Sequence, residues 1–195
     1  GSGAGFDAFV AGPKIGPTGR VIGVDMTPAM LAKARAGIAE YTRLTGLTNV
    51  EFRLGEIGHL PVADGLADVV ISNCVINLAP DKGAVWGDIA RVLKPGGRVA
   101  VSDLALLRPL PPEVAADVEA LVGCVAGAEL IEETRRRAVA AGLIDITMET
   151  DSSYLTALTD WQDPLFRRIA AAMPAGLGVA DFVTSLRISA RKPGP

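Results

Sequence analysis

Alternation is the feature that most constrains what this chain can fold into. Four short apolar runs, residues 20–25, 49–54, 68–73 and 98–102, are separated by stretches carrying helix start and stop signals. Runs of this length, rich in Val and Ile, read as buried strands. After the first, Thr27-Pro28 supplies an N-cap followed by proline at the first helical position, and Gly46 supplies a stop. After the third, Asp81 can cap a helix from Lys82 to Leu93, closed by Pro95-Gly96-Gly97. Strands separated by helices imply parallel neighbours joined by crossovers, so the expected class is α/β with a doubly wound, mostly parallel sheet. Ligands of such sheets bind beyond the carboxyl ends of the strands. Asp25, Gly55, Asn73, Cys74 and Asp103 fall at those ends and should line one rim.

Beyond residue 104 the character changes. Pro109, Pro111 and Pro112 break the chain, residues 113–121 and 129–141 read as helices, and residues 143–148 and 183–189 read as the two last strands. Residues 160–173 suggest a short helix on an insertion. The expected organisation is a core over residues 1–104, with residues 105–195 as the C-terminal part of the same domain, carrying substrate-side helices. A length of 195 residues, 49% of them apolar, suits one domain with a sizeable core. A net charge of −3 and a pI near 5.2 argue against nucleic acid or an anionic membrane as partner. No apolar run is long enough to span a bilayer. Two cysteines do not make a disulfide scaffold and point to a reduced, cytoplasmic setting.

The chain opens on Gly1-Ser2-Gly3-Ala4-Gly5. Glycines at this spacing let a backbone turn tightly and approach a ligand, with a helix amino terminus behind them. Asp25, about twenty residues further on, suits a ribose hydroxyl pair. The alternative reading of Asp25 is a cap for the helix that follows. The dinucleotide fingerprint requires a later glycine where Phe6 stands, so a single adenosine-type ligand fits better than NAD. Glu56 and Ile57 follow the next strand, where they can border a purine or be a solvated acid and a core residue. Cys74 lies in Ser72-Asn73-Cys74-Val75-Ile76-Asn77-Leu78, and Cys124 in Gly123-Cys124-Val125-Ala126-Gly127-Ala128. An isolated cysteine usually behaves as a small buried hydrophobe, but a strand end and a glycine-flanked turn are reachable places. His59 reads as a solvated loop residue, Asp103 as a turn cap rather than a substrate contact, and Arg135-Arg136-Arg137 as a solvated helix face. Trp86 and Trp161 read as packing residues, with Trp161 placed to cover a site.

Taken together, Gly1 to Gly5, Gly23-Val24-Asp25-Met26-Thr27, the Cys74 phrase with Asp81-Lys82, and Leu93-Lys94-Pro95-Gly96-Gly97 resemble a class I S-adenosylmethionine-dependent methyltransferase with a Rossmann-like sheet. The two cysteine phrases narrow the resemblance to the arsenite methyltransferases. It implies that residues 1–104 bind S-adenosylmethionine, with Gly1 and Gly3 at the methionine part, Asp25 on the ribose, Met26, Glu56 and Ile57 around the adenine, and Asn73 near the amino-acid end. It implies that Cys74 and Cys124 bind trivalent arsenic as substrate and are the catalytic thiols. It also implies arsenite or its thiol conjugates as substrate, and glutathione or thioredoxin as the reductant for turnover. Soft thiolates suit a soft metalloid centre.

The chain departs from that family at its amino end. The first central strand, which precedes the glycine loop in the family, is absent from this sequence, together with upstream cysteines, so an N-terminal truncation is expected. Losing a central strand should leave two neighbours with unpaired edges and make the chain unstable or aggregation-prone. Two rival functions remain open on sequence: a methyltransferase for a small organic acceptor with inert cysteines, and a non-catalytic thiol module that sequesters a metalloid.

Overall fold

The computed structural model describes residues 1–116, 125–151, 167, 169 and 171–194. The chain divides into two compact units, Gly1–Ala63 and Asp64–Pro195.

In the first unit, α1 (Phe6–Ile15), β1 (Val21–Asp25), α2 (Pro28–Thr45) and β2 (Val50–Leu54) follow one another. The helix α2 starts where the sequence says it should. Thr27 is extended, Pro28 takes the first turn, and the left-handed Gly46 (φ 70°) ends the helix by donating to the Thr42 carbonyl. The strands β1 and β2 pair in parallel from Val21↔Val50 to Asp25↔Leu54, so both carboxyl ends finish level. Leu31, Ala34, Tyr41 and Phe52 form the core with Phe9, whose ring stands 5.4 Å from Phe52 and 5.3 Å from Tyr41. Asn49 is the buried polar joint of this unit. Its amide donates to the carbonyls of Gly12 (2.9 Å) and Gly16 (2.8 Å), and its oxygen accepts the Tyr41 hydroxyl at 2.6 Å. A buried amide so fully paired costs little and locks α1, α2 and β2 together.

The second unit holds β3 (Ala67–Asn73), a 3₁₀ turn (Ile76–Leu78), α3 (Lys82–Val92) and β4 (Leu93–Leu106). It continues with α4 (Pro112–Ala115), α5 (Ile131–Ala140), β5 (Ile144–Asp151), a 3₁₀ turn (Val179–Asp181) and β6 (Val183–Arg191). The sheet order is β3-β4-β6-β5, with β3 parallel to β4 and β6 antiparallel to both β4 and β5. Strands β3, β4 and β5 therefore share one direction and β6 runs opposite to them, and the mostly parallel character holds. The described strands form two sheets, of two and four strands, with the unpaired edges expected for a sheet that lacks a central strand. Among the described residues β3 pairs on one side only, and its Val69 and Ile71 are exposed.

The strand β4 is longer than the apolar run at 98–102 suggests. It begins at Leu93, directly after α3, because Ala67 pairs with Leu93 before Val69 pairs with Arg98, so Lys94 to Gly97 bulge out of the ladder. A Cβ on Gly97 would stand 2.9 Å from the Lys94 carbonyl oxygen and 3.2 Å from those of Ala67 and Asp68. Only glycine fits there, and the helix-stop signal doubles as a bulge. Asp81 does cap α3, accepting the Ala84 N–H at 3.0 Å. The helix buries Val85, Trp86 and Ile89 on its inner face. Of the helix expected at 113–121, residues 112–115 are helical and 117–121 lie outside the described residues. Trp161 and most of the stretch 151–180 also lie outside them. No helix among the described residues is long and apolar enough to cross a membrane.

Candidate functional site

The first unit builds a cradle at the ends of β1 and β2. The Gly1 amino group and the Ser2 N–H both donate to the Val24 carbonyl at 2.8 Å, and the Gly5 N–H returns to the Ser2 carbonyl at 2.9 Å. That turn needs a left-handed residue, and Gly3 provides it at φ +55°. The Gly3 N–H then donates to Asp25 Oδ2 and the Thr27 N–H to Asp25 Oδ1, each at 2.8 Å. Asp25 thus ties the glycine loop to the start of α2. The Gly55 N–H donates to the Asp25 carbonyl at 3.1 Å, which draws in the loop after β2. Gly1, Gly3, Asp25, Met26, Glu56 and Ile57, all singled out from sequence, are therefore gathered on one unit. Met26 is 66% exposed, and Glu56 starts a tight turn closed by the His59 N–H on its carbonyl (3.1 Å). His59 itself is exposed.

The donor set of this cradle fits an adenosine-type ligand. No atom lies within 4 Å of where a Cβ on Gly3 would stand, so the loop is open there. Ser2 Oγ is buried and unpartnered. Asp25 is only 5% exposed. Burial works to raise its carboxyl pKa, but the Thr27 and Gly3 N–H groups outweigh it and hold the carboxyl below its ordinary value. A carboxylate offers about four lone-pair sites. The two N–H groups and the Thr27 side chain leave capacity for a ligand hydroxyl. The capping and ribose readings of Asp25 are compatible.

The second unit carries Asn73 and Cys74. Asn73 closes β3 opposite Ser102. Cys74 extends the ladder by one bond, its N–H to the Ser102 carbonyl at 2.9 Å, and then turns away at φ 50°. A left-handed conformation costs a non-glycine residue ~1–2 kcal/mol, and it swings the chain into the 3₁₀ turn at Ile76. Cys74 is exposed as a residue. The packing around its sulfur, and after that the Asp103 carboxylate, push its thiol pKa up. Asp103 is 6% exposed and accepts from the N–H groups of Ile76 (3.0 Å), Asn77 (3.4 Å) and Leu104 (2.9 Å) and from the Asn77 side-chain amide (2.9 Å). Burial raises its carboxyl pKa against the pull of those donors. Asp103 does not follow its strand, as the sequence suggests, because β4 runs on to Leu106; it lies within β4 and caps the turn after β3. A cavity of about 20 Å³ bordered by Asn77, Trp86 and Asp103 has room for about one water and none for a substrate.

Cys124 lies outside the described residues. The segment that follows it is described. Val125 is fully buried in one cluster with Leu104 and Leu106, and the Leu106 N–H donates to the Glu129 carbonyl at 2.8 Å. Residues 125–129 thus run beside the carboxyl end of β4, whose Ser102 holds Cys74. Trp86 is a packing residue, 1% exposed. Arg135 and Arg136 pair with Glu132 and Glu133 along the face of α5, while Arg137 reaches Glu129 at 2.8 Å. Among the described residues no cluster of three or more His, Cys, Asp or Glu is arranged to hold a metal ion. Sequence reasoning passed over Asn77, although it sits within the Cys74 phrase. Its role depends on a partner 26 residues away.

A profile for the methyltransferase domain matches residues 1–159. An arsenite methyltransferase of Halobacterium salinarum is 46% identical over 193 residues, covering 99% of this chain and 45% of that protein. One from Aquipseudomonas alcaligenes is 45% identical over 132 residues, covering 66% of this chain and 38% of that protein. The chain spans less than half the length of these curated relatives. A crystal structure of an arsenic(III) S-adenosylmethionine methyltransferase from Chlamydomonas reinhardtii superposes with a TM-score of 0.77 at 34% identity, over 100% of this chain and 62% of that one. With its α/β strands, its glycine loop and a profile spanning most of its length, the chain belongs to the methyltransferase domain family.

Proposed function

We propose that this chain is the methyl-transferring part of an arsenite methyltransferase that uses S-adenosylmethionine and holds trivalent arsenic through Cys74 and Cys124. The observation that carries the reading is the 46% identity to an arsenite methyltransferase over 193 residues, a span that takes in both cysteine phrases. The cradle of Gly1, Gly3 and Asp25 would hold the cofactor, with Met26, Glu56 and Ile57 around the adenine and Asn73 near its amino-acid end. When bound, S-adenosylmethionine supplies an electrophilic methyl group on a sulfonium sulfur.

The residues of the chain do the rest. Cys74 stays a protonated thiol at neutral pH, because packing and Asp103 disfavour the thiolate. It therefore joins arsenite by condensation, As–OH and S–H giving As–S and water. Arsenic held through sulfur keeps its lone pair, and no proton leaves arsenic, so no general base is required. Orientation of bound partners contributes ~7–11 kcal/mol in favourable cases. A thiol reductant, glutathione or thioredoxin, completes turnover.

The test is an assay with arsenite, S-adenosylmethionine and glutathione, measuring methylated arsenicals and S-adenosylhomocysteine. Cys74→Ser and Cys124→Ser should each abolish transfer while cofactor binding by calorimetry persists. Cofactor binding without any methylated arsenic would end the reading. Undiminished transfer to an organic acceptor in both serine variants would move it to a small-molecule methyltransferase.

A further inference from the structure

We propose that Asp103 is the positioning residue for Cys74, gathering the N–H groups of the turn that follows this cysteine and so holding it in its left-handed conformation at the end of β3. The inference rests on Cys74 being the thiol that holds the substrate.

The chain around Cys74 is pinned on both sides to adjacent residues of β4. On one side the Cys74 N–H is bonded to the Ser102 carbonyl at 2.9 Å. On the other, Ile76 and Asn77 donate their N–H groups to Asp103 Oδ2 at 3.0 and 3.4 Å, and the Val75 N–H also faces this carboxylate. Cys74, at φ 50°, lies between these anchors with one further residue, Val75. Asn77 braces the arrangement. Its amide bonds both Asp103 Oδ1 (2.9 Å) and the Leu104 carbonyl (2.7 Å). The Leu104 N–H completes the set on Oδ1 at 2.9 Å.

This carboxylate has no capacity left for a ligand. Its two oxygens offer about four lone-pair sites, and the chain's own donors fill them. Asp103 therefore touches no ligand and, apart from the effect of its charge on the Cys74 thiol, acts through the position of Cys74. The isosteric amide cannot replace it. An NH₂ group on either side would face N–H groups of the turn, or the Leu104 N–H and the Asn77 amide, donor against donor.

Asp103→Asn, Asn77→Ser and the exchanged pair Asp103→Asn/Asn77→Asp test the proposal in the full chain. Three quantities are read: hydrogen exchange of the Ile76 and Asn77 amides, the iodoacetamide alkylation rate of the Cys74 peptide by mass spectrometry, and kcat and KM for methyl transfer. In the wild type those amides should exchange about 100-fold more slowly than in an unstructured chain. Asp103→Asn should speed their exchange and raise Cys74 alkylation about fivefold. It should lower kcat by about 10- to 100-fold, the size expected when a reacting group is misplaced, with the KM for S-adenosylmethionine within about twofold of wild type. Asn77→Ser should move each readout the same way by less. The exchanged pair restores an amide–carboxylate bond and should recover part of kcat. Unprotected Ile76 and Asn77 amides in the wild type would overturn the proposal, as would a folded Asp103→Asn with unchanged alkylation and kcat. If Asp103→Asn does not fold, Asn77→Ser and the wild-type exchange rates decide in the same way. If no variant or wild type methylates arsenite, yet amide exchange responds to Asp103→Asn and Cys74 alkylation responds to the charge-neutral Asn77→Ser, the positioning role stands and the assigned reaction falls.

Discussion

Among the described residues each unit buries one carboxylate near the carboxyl end of a parallel strand, Asp25 closing β1 and Asp103 late in β4, at 5% and 6% exposure. Both accept backbone N–H groups from a turn distant in sequence. Their surroundings send them in opposite directions. Asp25 holds the glycine loop and the start of α2, keeps acceptor capacity in reserve, and has its pKa lowered by its hydrogen bonds in spite of burial. Asp103 is saturated by four donors from its own chain, and burial wins over them. A buried acid at a strand end can thus keep acceptor capacity open or spend it all on the fold, and counting its occupied lone pairs tells the two apart.

The largest effect that bears on this contrast is on the core beneath Asp103. Trp86→Ala should cost ~3–5 kcal/mol in denaturant unfolding, because it empties a large, fully buried site next to the Asn77–Asp103 pair. A loss below ~1 kcal/mol would mean that the anchor of Cys74 does not depend on this core.

Next comes ligand affinity. Asp25→Ala should weaken S-adenosylmethionine binding about 100-fold by calorimetry, since hydrogen bonds to a charged group contribute ~1.5–3 kcal/mol. Asp103→Asn should leave that affinity within about twofold. Equal weakening by both variants would break the division of labour.

Acid stability sharpens the comparison further. The native pKa of Asp25 lies below its unfolded value, so the unfolded chain binds more protons on acidification. Its contribution is complete above the unfolded pKa of ~3.9 and is lost as pH falls through the native value. Melting temperature should therefore fall below about pH 4, and Asp25→Asn should flatten that part of the curve. An identical slope in the variant would remove Asp25 as the cause.

The smallest effects concern one left-handed position in each unit, Gly3 and Cys74. Gly3, at φ +55°, is the residue its conformation requires, whereas Cys74, at φ 50°, is not. Gly3→Ala should destabilise by ~1 kcal/mol although nothing crowds the new methyl. Cys74→Gly should be ~1 kcal/mol more stable than Cys74→Ala, and thermal melts of the pair measure the strain kept at this thiol. Equal melting temperatures would show that the turn does not impose that conformation.

Much of the fold was legible because its signals are local. Thr27-Pro28 and Gly46 bound α2, and Asp81 caps α3, each through contacts within a few residues. The strands at Val21, Val50, Ala67 and Val183 follow from apolar runs. The extension of β4 back to Leu93 was not legible, since Pro95-Gly96-Gly97 reads as a break and becomes a bulge only against the carbonyls of Ala67 and Asp68. The meeting of the glycine loop with Asp25 could be read from glycine spacing and one acid. The Cys74 anchor could not, because Asn77 and Asp103 are 26 residues apart and meet only once β3 and β4 are paired.

The sequence by itself determined the α/β alternation, the helix boundaries and the residues offered at the strand ends, because spacing, caps and glycine torsions act over a few residues. Only the tertiary structure decided that Asp25 accepts from both the glycine loop and the start of α2, and that Asp103 spends itself on the turn after Cys74. Those outcomes depend on which donors burial brings within hydrogen-bonding distance of each carboxylate, and the order of residues along the chain does not encode that distance.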